Sequence, residues 1–440
     1  MLLDWTDYYL IVTVLAVLFA IAISAALGRQ RSPQASTAWV LFIILVPYVG
    51  LPAFLAFGLR LGPGPRAPAA EDAPGLAKML ACYDAGPRRG GTDLRLHASN
   101  SEAREALFGL VEGAERTLDV ALYQLANDAT GLEFLALLER RAQAGVQVRL
   151  CLDGIGAVLR PRRAIHAAKR SGVKVHVHAR IFPPKRLWSM DRRNHRKIAI
   201  ADGAHLWSGG RNVGDVYLSE GEGAWTDLGF TARGPLVAEA ARLFAEDWPG
   251  RQIVAAPVVE AGEAEVQLLP TGPSQPGDGL HEMLLHLIHT ATDRIEIGTP
   301  YFTPTETLTT ALAMAGRRGV DVRIVLPTHS NHPAADLARG AFIRQLEQAG
   351  CRFHWHGNGM FHAKAMRFDD RVALVGSANC DSRSLLTNKE MMVLLWSPAE
   401  IAAVRDWFET VMAGCGSEGP EDGPLRRLAE RTLRLAAPLL

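Results

Sequence analysis

Two short stretches of this chain carry side chains that could act together on a phosphodiester. NHRKIAIADG holds His195, Lys197 and Asp202, FHAKAMRFDD holds His362, Lys364 and Asp369, and both follow the spacing H-x-K-x-x-x-x-D. In a strand, residues two apart face the same way, so each histidine projects beside its lysine while Ile198 and Ile200 take the opposite, buried face. An imidazole beside an ammonium suits phosphoryl chemistry: the lysine neutralises nonbridging oxygens while the histidine attacks phosphorus or protonates a leaving oxygen. One copy supplies one of each. Two copies brought together supply a nucleophile, an acid and two cations around one phosphate, a double displacement expected to need no metal and no cofactor. Asp202 and Asp369 join the catalytic set by motif, but their odd separation of seven from the histidine turns them to the other face. There they are expected to fix the turn or an ion pair rather than touch substrate.

A single H-x-K triplet arises readily by chance, and a lone histidine is most often structural; the duplication changes that reading. After each motif comes a glycine turn with an asparagine, SGGRN ending at Asn212 and GSAN ending at Asn379, and then an acid, Asp227 in WTD and Glu390 in NKE. The two amides are expected to donate to the phosphate oxygens, with Ser377 as a further donor. Asp227 and Glu390 are each expected to hold a histidine's second nitrogen and set its tautomer. Zinc is the competing use of such residues, but no H-x-x-x-H and no cysteine cluster accompanies them.

The elements around the motifs repeat as well. LERRAQAGVQVRLCLDG and ALAMAGRRGVDVRIVLPT align at an offset of 174 (Gly145 to Gly319), close to the 167 that separates His195 from His362. Each is a helical pattern stopped by glycine and followed by a β-branched run, with a further strand upstream at Leu118–Leu122 and Ile295–Ile297. The fold class that follows is α/β, two similar lobes forming one active site at their interface.

Ahead of the repeats, Tyr8–Leu27 and Thr37–Leu59 are free of charge, and each reaches the roughly 20 residues a membrane helix needs. They predict a two-helix transmembrane hairpin, its second helix bent by Pro47, Gly50 and Pro52; Asp4 and Asp7 speak against a signal peptide. The predicted division is a hairpin over 1–61, a Pro/Gly-rich tether over 62–92, repeats over 93–250 and 265–414 with a linker over 251–264, and a basic amphipathic tail over 415–440. Both ends of the hairpin lie on one side of the membrane. Basic residues on its two flanks nearly balance, and the cytoplasmic face is favoured for the catalytic part.

With 47 basic and 46 acidic residues the net charge is +1, so any basic surface must be local. It is concentrated between Gly154 and Ala201, where thirteen Lys or Arg (Arg160, Arg162, Arg163, Lys169, Arg170, Lys174, Arg180, Lys185, Arg186, Arg192, Arg193, Arg196, Lys197) meet one acid, Asp191. Such a face is expected to draw anionic head groups, with Phe182 and Trp188 as an interfacial lip. The 48% hydrophobic and 21% charged fractions exclude a disordered chain, and five scattered cysteines exclude a disulfide framework.

The duplicated H-x-K-x-x-x-x-D motif resembles that of the phospholipase D superfamily. Within it the chain is similar to bacterial cardiolipin synthases through YQLANDATGLEF, RNHRKIAIADG, GGRNVGD, TPYFTPTETL and FHAKAMRFDDRVALVGSANCDSRSLLTNKE. In place of the family's W-R-D-T-H-like stretch stands Trp225-Thr226-Asp227-Leu228-Gly229. The resemblance implies a phosphohistidine intermediate, with His195 as nucleophile and His362 as acid and then base. It also implies transfer of a phosphatidyl group between two phosphatidylglycerol molecules with loss of glycerol. The expected partner is thus an anionic phospholipid, and nucleic acid is not expected. A hydrolase using the same residues is the alternative, and a nuclease is disfavoured by the membrane anchor.

Overall fold

The computed structural model describes residues 5–27, 33–58, 75–179, 193–250 and 259–417, with 419–420, 423–424, 426–427 and 429–430 beyond them. Arg180, Phe182, Lys185, Arg186, Trp188, Asp191 and Arg192 of the basic stretch lie outside the described residues. So do 62–74 of the predicted tether, 251–258 of the linker and most of the tail.

The first half contributes β1 (Arg89–His97), β2 (Thr117–Leu122), β3 (Gln147–Asp153), β4 (Lys174–His178), β5 (Ile198–Ala201), β6 (His205–Gly209) and β7 (Gly229–Arg233). The second contributes β8 (Ala264–Thr271), β9 (Arg294–Gly298), β11 (Asp321–Pro327), β12 (Arg352–His356), β13 (Ala365–Phe368), β14 (Val372–Gly376) and β16 (Glu390–Leu395); a separate parallel pair joins β10 (Phe302–Thr303) to β15 (Cys380–Asp381). The main sheet runs β12-β11-β9-β13-β14-β16-β8-β1-β7-β6-β5-β2-β3-β4. Read outward from the β8/β1 seam, the two halves carry corresponding strands in the same order, so the duplication is a duplication of topology. The seam is antiparallel, pairing Arg89 with Val266 and Thr92 with Ala264 across a bulge.

Three layers follow from the hydrophobic pattern. Strands such as TLDVAL and EMMVLL are buried on both faces, as a sheet covered by helices on each side requires. On one face a core runs across both lobes, where Ile198, Ile200, Ala365 and Val375 pack under helices Pro235–Asp247 and Pro398–Ala413. On the other face each lobe has its own core, beneath Asn100–Glu112 and Ala129–Gln143 in the first and Gly279–Thr290 and Glu306–Arg317 in the second. The chain starts the helices where capping chemistry allows. Ser99 and Glu102 close a capping box, while Asp128 and Thr305 accept the N–H of Gly131 and Leu308 at matching repeat positions.

The motif aspartates sit at turns. Asp202 and Asp369 end β5 and β13 with φ of +54° and +49°. Asp202 accepts the N–H groups of Glu115, Arg116 and Thr117 at 2.7–2.9 Å, and Asp369 those of Thr292, Asp293 and Arg294 at 2.9–3.1 Å. Burial works against their charge, but these backbone donors outweigh it and hold both carboxyls below the usual range. Each staples the turn after its motif strand to the start of the neighbouring strand.

Two expectations about the first ninety residues change. Helix Trp5–Leu27 is continuous and is long and apolar enough to cross a membrane. The second charge-free run is not one helix: it breaks at Val46 into Pro33–Leu45 and Pro47–Ala53, and continues as a π turn over Phe54–Gly58. Pro47 cannot donate a backbone hydrogen, and the Tyr9 hydroxyl reaches across to the Ile44 and Leu45 carbonyls at 2.9 and 2.8 Å. Within the predicted tether, helix Gly75–Ala81 buries Leu80 in the second lobe's core, and β1 starts at Arg89. The low periodicity of this stretch hid a docked segment.

Replacing Asp202 or Asp369 with Asn should cost about 2 kcal/mol, since charge-assisted bonds to backbone N–H groups weaken. Melting temperature and activity should fall together when the purified variants are compared with the parent.

Candidate active site

Each histidine sits just ahead of its strand, where the chain is pinned to the other lobe. The His195 N–H donates to the Lys389 carbonyl at 2.9 Å, and the Lys389 N–H to the Arg193 carbonyl at 2.9 Å. In the other copy the His362 N–H donates to the Thr226 carbonyl at 2.7 Å, and the Thr226 N–H to the Met360 carbonyl at 2.9 Å. Lys389 and Thr226 immediately precede the two acids. The backbone register therefore delivers each carboxylate to the histidine of the opposite repeat.

His195 Nδ1 lies 3.0 Å from Glu390 Oε2, and His362 Nδ1 lies 2.7 Å from Asp227 Oδ2. The sequence placed an acid beside each histidine; the structure shows that the pairs are crossed. Both acids are fully buried, and burial raises their pKa values, but the facing histidines and lysines outweigh it and keep them ionised. Burial lowers both histidines, His362 to about 3 with Lys364 adding to the effect, against the pull of the carboxylates. A neutral ring that gives its Nδ1 hydrogen to a carboxylate carries its lone pair on Nε2, the tautomer required of a nucleophile or base.

The lysines differ between copies. Lys197 Nζ donates to the His195 carbonyl at 2.6 Å and stands 5.5 Å from the centre of the Tyr123 ring. Lys364 Nζ donates to the His362 carbonyl and lies 2.8 and 3.0 Å from that residue's ring nitrogens. Burial lowers both ammonium groups, Lys364 to about 8.

The smaller polar groups are corrected in part. Ser377 is not a free donor for phosphate, because its hydroxyl donates to Glu390 Oε2 at 2.6 Å and accepts the Met391 N–H at 3.0 Å. Its repeat counterpart is Gly210, where a Cβ would lie 2.2 Å from Asp227 Oδ1. The shorter acid approaches the backbone and the longer one is held by a hydroxyl. Asn212 accepts the Gln124 N–H at 3.1 Å and donates to the Tyr217 hydroxyl; Asn379 donates to Asp381. Each amide keeps a second hydrogen.

Sequence reasoning missed the aromatic wall and the polar clamp behind His195. The Tyr123 ring stands 4.7 Å from that of His195, while Tyr217 and Trp225 stand 5.4 and 5.1 Å from that of His362. Buried Asp247 accepts from Asn194 Nδ2 at 2.8 Å, Arg196 at 3.0 Å and Lys389 Nζ at 2.6 Å. It ties the first motif to the strand that carries Glu390. At the positions matching Asn194 and Arg196 the second copy has Phe361 and Ala363, packed with Trp407 and Phe408.

The architecture and its crossed, paired H-x-K side chains define a phospholipase D-like protein. The family model described as cardiolipin synthase, PLD-like domain matches residues 107–248 and 284–412, and the chain belongs to that family. A second model, phospholipase D-nuclease N-terminal, matches residues 11–58. Among curated relatives, cardiolipin synthase A of Pseudomonas putida is 30% identical, covering 94% of each chain. Cardiolipin synthase 1 of Bacillus anthracis is 28% identical, covering 92% of this chain and 89% of its own. The crystal structure of phosphatidylserine synthase from Haemophilus influenzae superposes with a TM-score of 0.61 at 16% identity, over 79% of this chain and 95% of that one, a likeness of fold.

Ser377→Ala removes a hydrogen bond to a buried carboxylate that is present before substrate arrives, so stability should fall by about 1–3 kcal/mol, read as melting temperature, and kcat should fall with it. Gly210→Ser, the swap that would make the copies alike, should also destabilise the protein by driving Asp227 from its place. The pH dependence has a definite sign. For a Lys364 whose positive charge is needed, kcat/KM should fall as pH rises through its pKa of about 8, and Lys364→Arg should carry that limb out of range at reduced rate.

Proposed function

We propose that this protein is a membrane phosphatidyltransferase that makes cardiolipin and glycerol from two molecules of phosphatidylglycerol. The observation that carries the reading is the crossed arrangement, which sets two Nε2 atoms and two ammonium groups around one site. His195 Nε2 attacks phosphorus, and the bond to the glycerol oxygen breaks as that oxygen takes a proton from His362. A hydroxyl of the second lipid then gives its proton to His362 and displaces His195. Burial and Lys364 keep His362 neutral beforehand; as substrate binds, the negative phosphodiester joins Asp227 in favouring the imidazolium, and His362 takes that proton from water. Lys197 and Lys364 neutralise the nonbridging oxygens, and Asn212 and Asn379 turn their remaining amide hydrogens toward them. Asp202 and Asp369 hold the motifs in place.

In this reading the hairpin over 1–61 spans the membrane twice despite the break at Val46, with repeats over 93–250 and 265–414 on one face, the cytoplasmic one. The match of residues 11–58 to the phospholipase D-nuclease N-terminal model and the apolar length of the first helix support it. Holding the site beside concentrated lipid alcohol favours transfer over hydrolysis.

Expression in a cell that lacks cardiolipin, followed by mass spectrometry of the extracted lipids, should show cardiolipin. Phosphatidic acid in its place would mean that water resolves the intermediate. Enzyme-bound phosphatidyl label should be absent from His195→Ala; label that persists there and vanishes only from His362→Ala would exchange the two roles.

A further inference from the structure

Part of the basic stretch is described and takes no part in the chemistry above. β3 ends at Asp153, which is fully buried and accepts the N–H groups of Ile155 at 2.8 Å, Gly156 at 3.1 Å and Asn194 at 2.9 Å. The same carboxylate thus shapes the turn after β3 and holds the residue next to His195. Gly156 packs so closely on Tyr123 that a Cβ there would lie 2.3 Å from the Tyr123 carbonyl and 2.8 Å from its ring. Ala157 is buried, whereas Ile155, Val158 and Leu159 are 41%, 42% and 86% exposed. The Val158 N–H donates to the Ile155 carbonyl at 3.0 Å and the Arg160 N–H to the Ala157 carbonyl at 3.2 Å, so a hydrogen-bonded turn presents these aliphatic side chains to solvent. Among the described residues past 58 no other five consecutive positions expose three large aliphatic side chains.

Helix Arg162–Arg170 follows at once. Arg162, Arg163, Lys169, Arg170 and Lys174 are exposed, and no acid occurs from Gly154 to Ala179. An apolar tip beside a cluster of cations is what an anionic bilayer surface accommodates, with aliphatic groups among the acyl chains and cations at the head groups. A nucleic-acid backbone would satisfy the cations and leave the aliphatic tip in water.

We infer that the Gly154–Arg160 turn and helix Arg162–Arg170 form a second contact with the membrane, separate from the N-terminal helices, which seats the catalytic lobes on anionic lipid. The inference rests on the reading that this chain works on membrane lipid. Through Asp153 and Tyr123 the contact is built onto the wall of the His195 site. Lipid that enters beside it arrives next to the nucleophile.

The test uses the full chain reconstituted into vesicles of phosphatidylcholine with and without phosphatidylglycerol. Leu159→Cys carries an environment-sensitive fluorophore, and the parent chain is labelled in parallel to subtract its own five thiols. Phosphatidylglycerol should raise the emission about twofold with a blue shift, and brominated lipid should quench it. Adding Arg162→Glu and Arg163→Glu should abolish the response, and salt should weaken it. Emission that ignores lipid composition, or that responds to a DNA duplex and not to phosphatidylglycerol, overturns the inference. Cardiolipin is measured on the same vesicles: insertion without product leaves the contact standing and removes the catalytic reading, whereas product with a solvent-exposed label does the opposite.

Discussion

The group bonded to an imidazole's second nitrogen sets its tautomer and supports its proton, and in each half of this chain the carboxylate that does so comes from the other half. Glu390 reaches His195 and Asp227 reaches His362 across the lobe interface. Both acids are fully buried. Removing the partner of a buried charge costs about 3–5 kcal/mol, so neither lobe can keep its own acid alone without a large penalty. The continuous sheet serves this exchange. The β8/β1 seam fixes the lobes, and the short backbone pairings at Thr226 and Lys389 fix the register with which each acid arrives. Both His–carboxylate pairs form only where the halves meet.

Within that symmetric frame the copies have diverged in what supports them. His195 is backed by Asn194, Arg196, Asp247 and Lys389, a polar cluster satisfied from both lobes. His362 is backed by packed apolar groups, and its own lysine stands against its ring nitrogens. The acids differ by one methylene, and Ser377 and Gly210 have adjusted to each. The two histidines have been given different surroundings by changes that leave the strand order untouched.

Much of this was legible from residue spacing. Strand parity turned Asp202 and Asp369 to the other face, where the structure shows each held by backbone N–H groups, and two near-equal offsets revealed the duplicated topology. The crossing was not legible, because a repeat read along the chain places Asp227 in the same half as His195, and only the strand order across the seam says otherwise. Ser377 looked like a phosphate donor until its hydroxyl was seen to be used by Glu390. Aligning Gly210 with Ser377 beside the Asp and Glu difference carried that signal. Tyr123 and Tyr217 left no periodic trace, since they sit at strand and helix ends, where side-chain direction is set by tertiary packing. The break at Val46 was anticipated as a bend at Pro47, but the rescue of two carbonyls by Tyr9 depends on a contact that no local pattern encodes.

The central claim is the crossed pairing, and nitrogen-15 NMR of selectively labelled histidine reads it most directly. With His195 and His362 assigned through single replacements, both should appear as neutral rings carrying the hydrogen on Nδ1. Glu390→Gln should then shift the His195 nitrogens and leave those of His362 in place, and Asp227→Asn should do the reverse. If Glu390→Gln moves His362 while His195 stays unchanged, each lobe holds its own histidine and the account is contradicted.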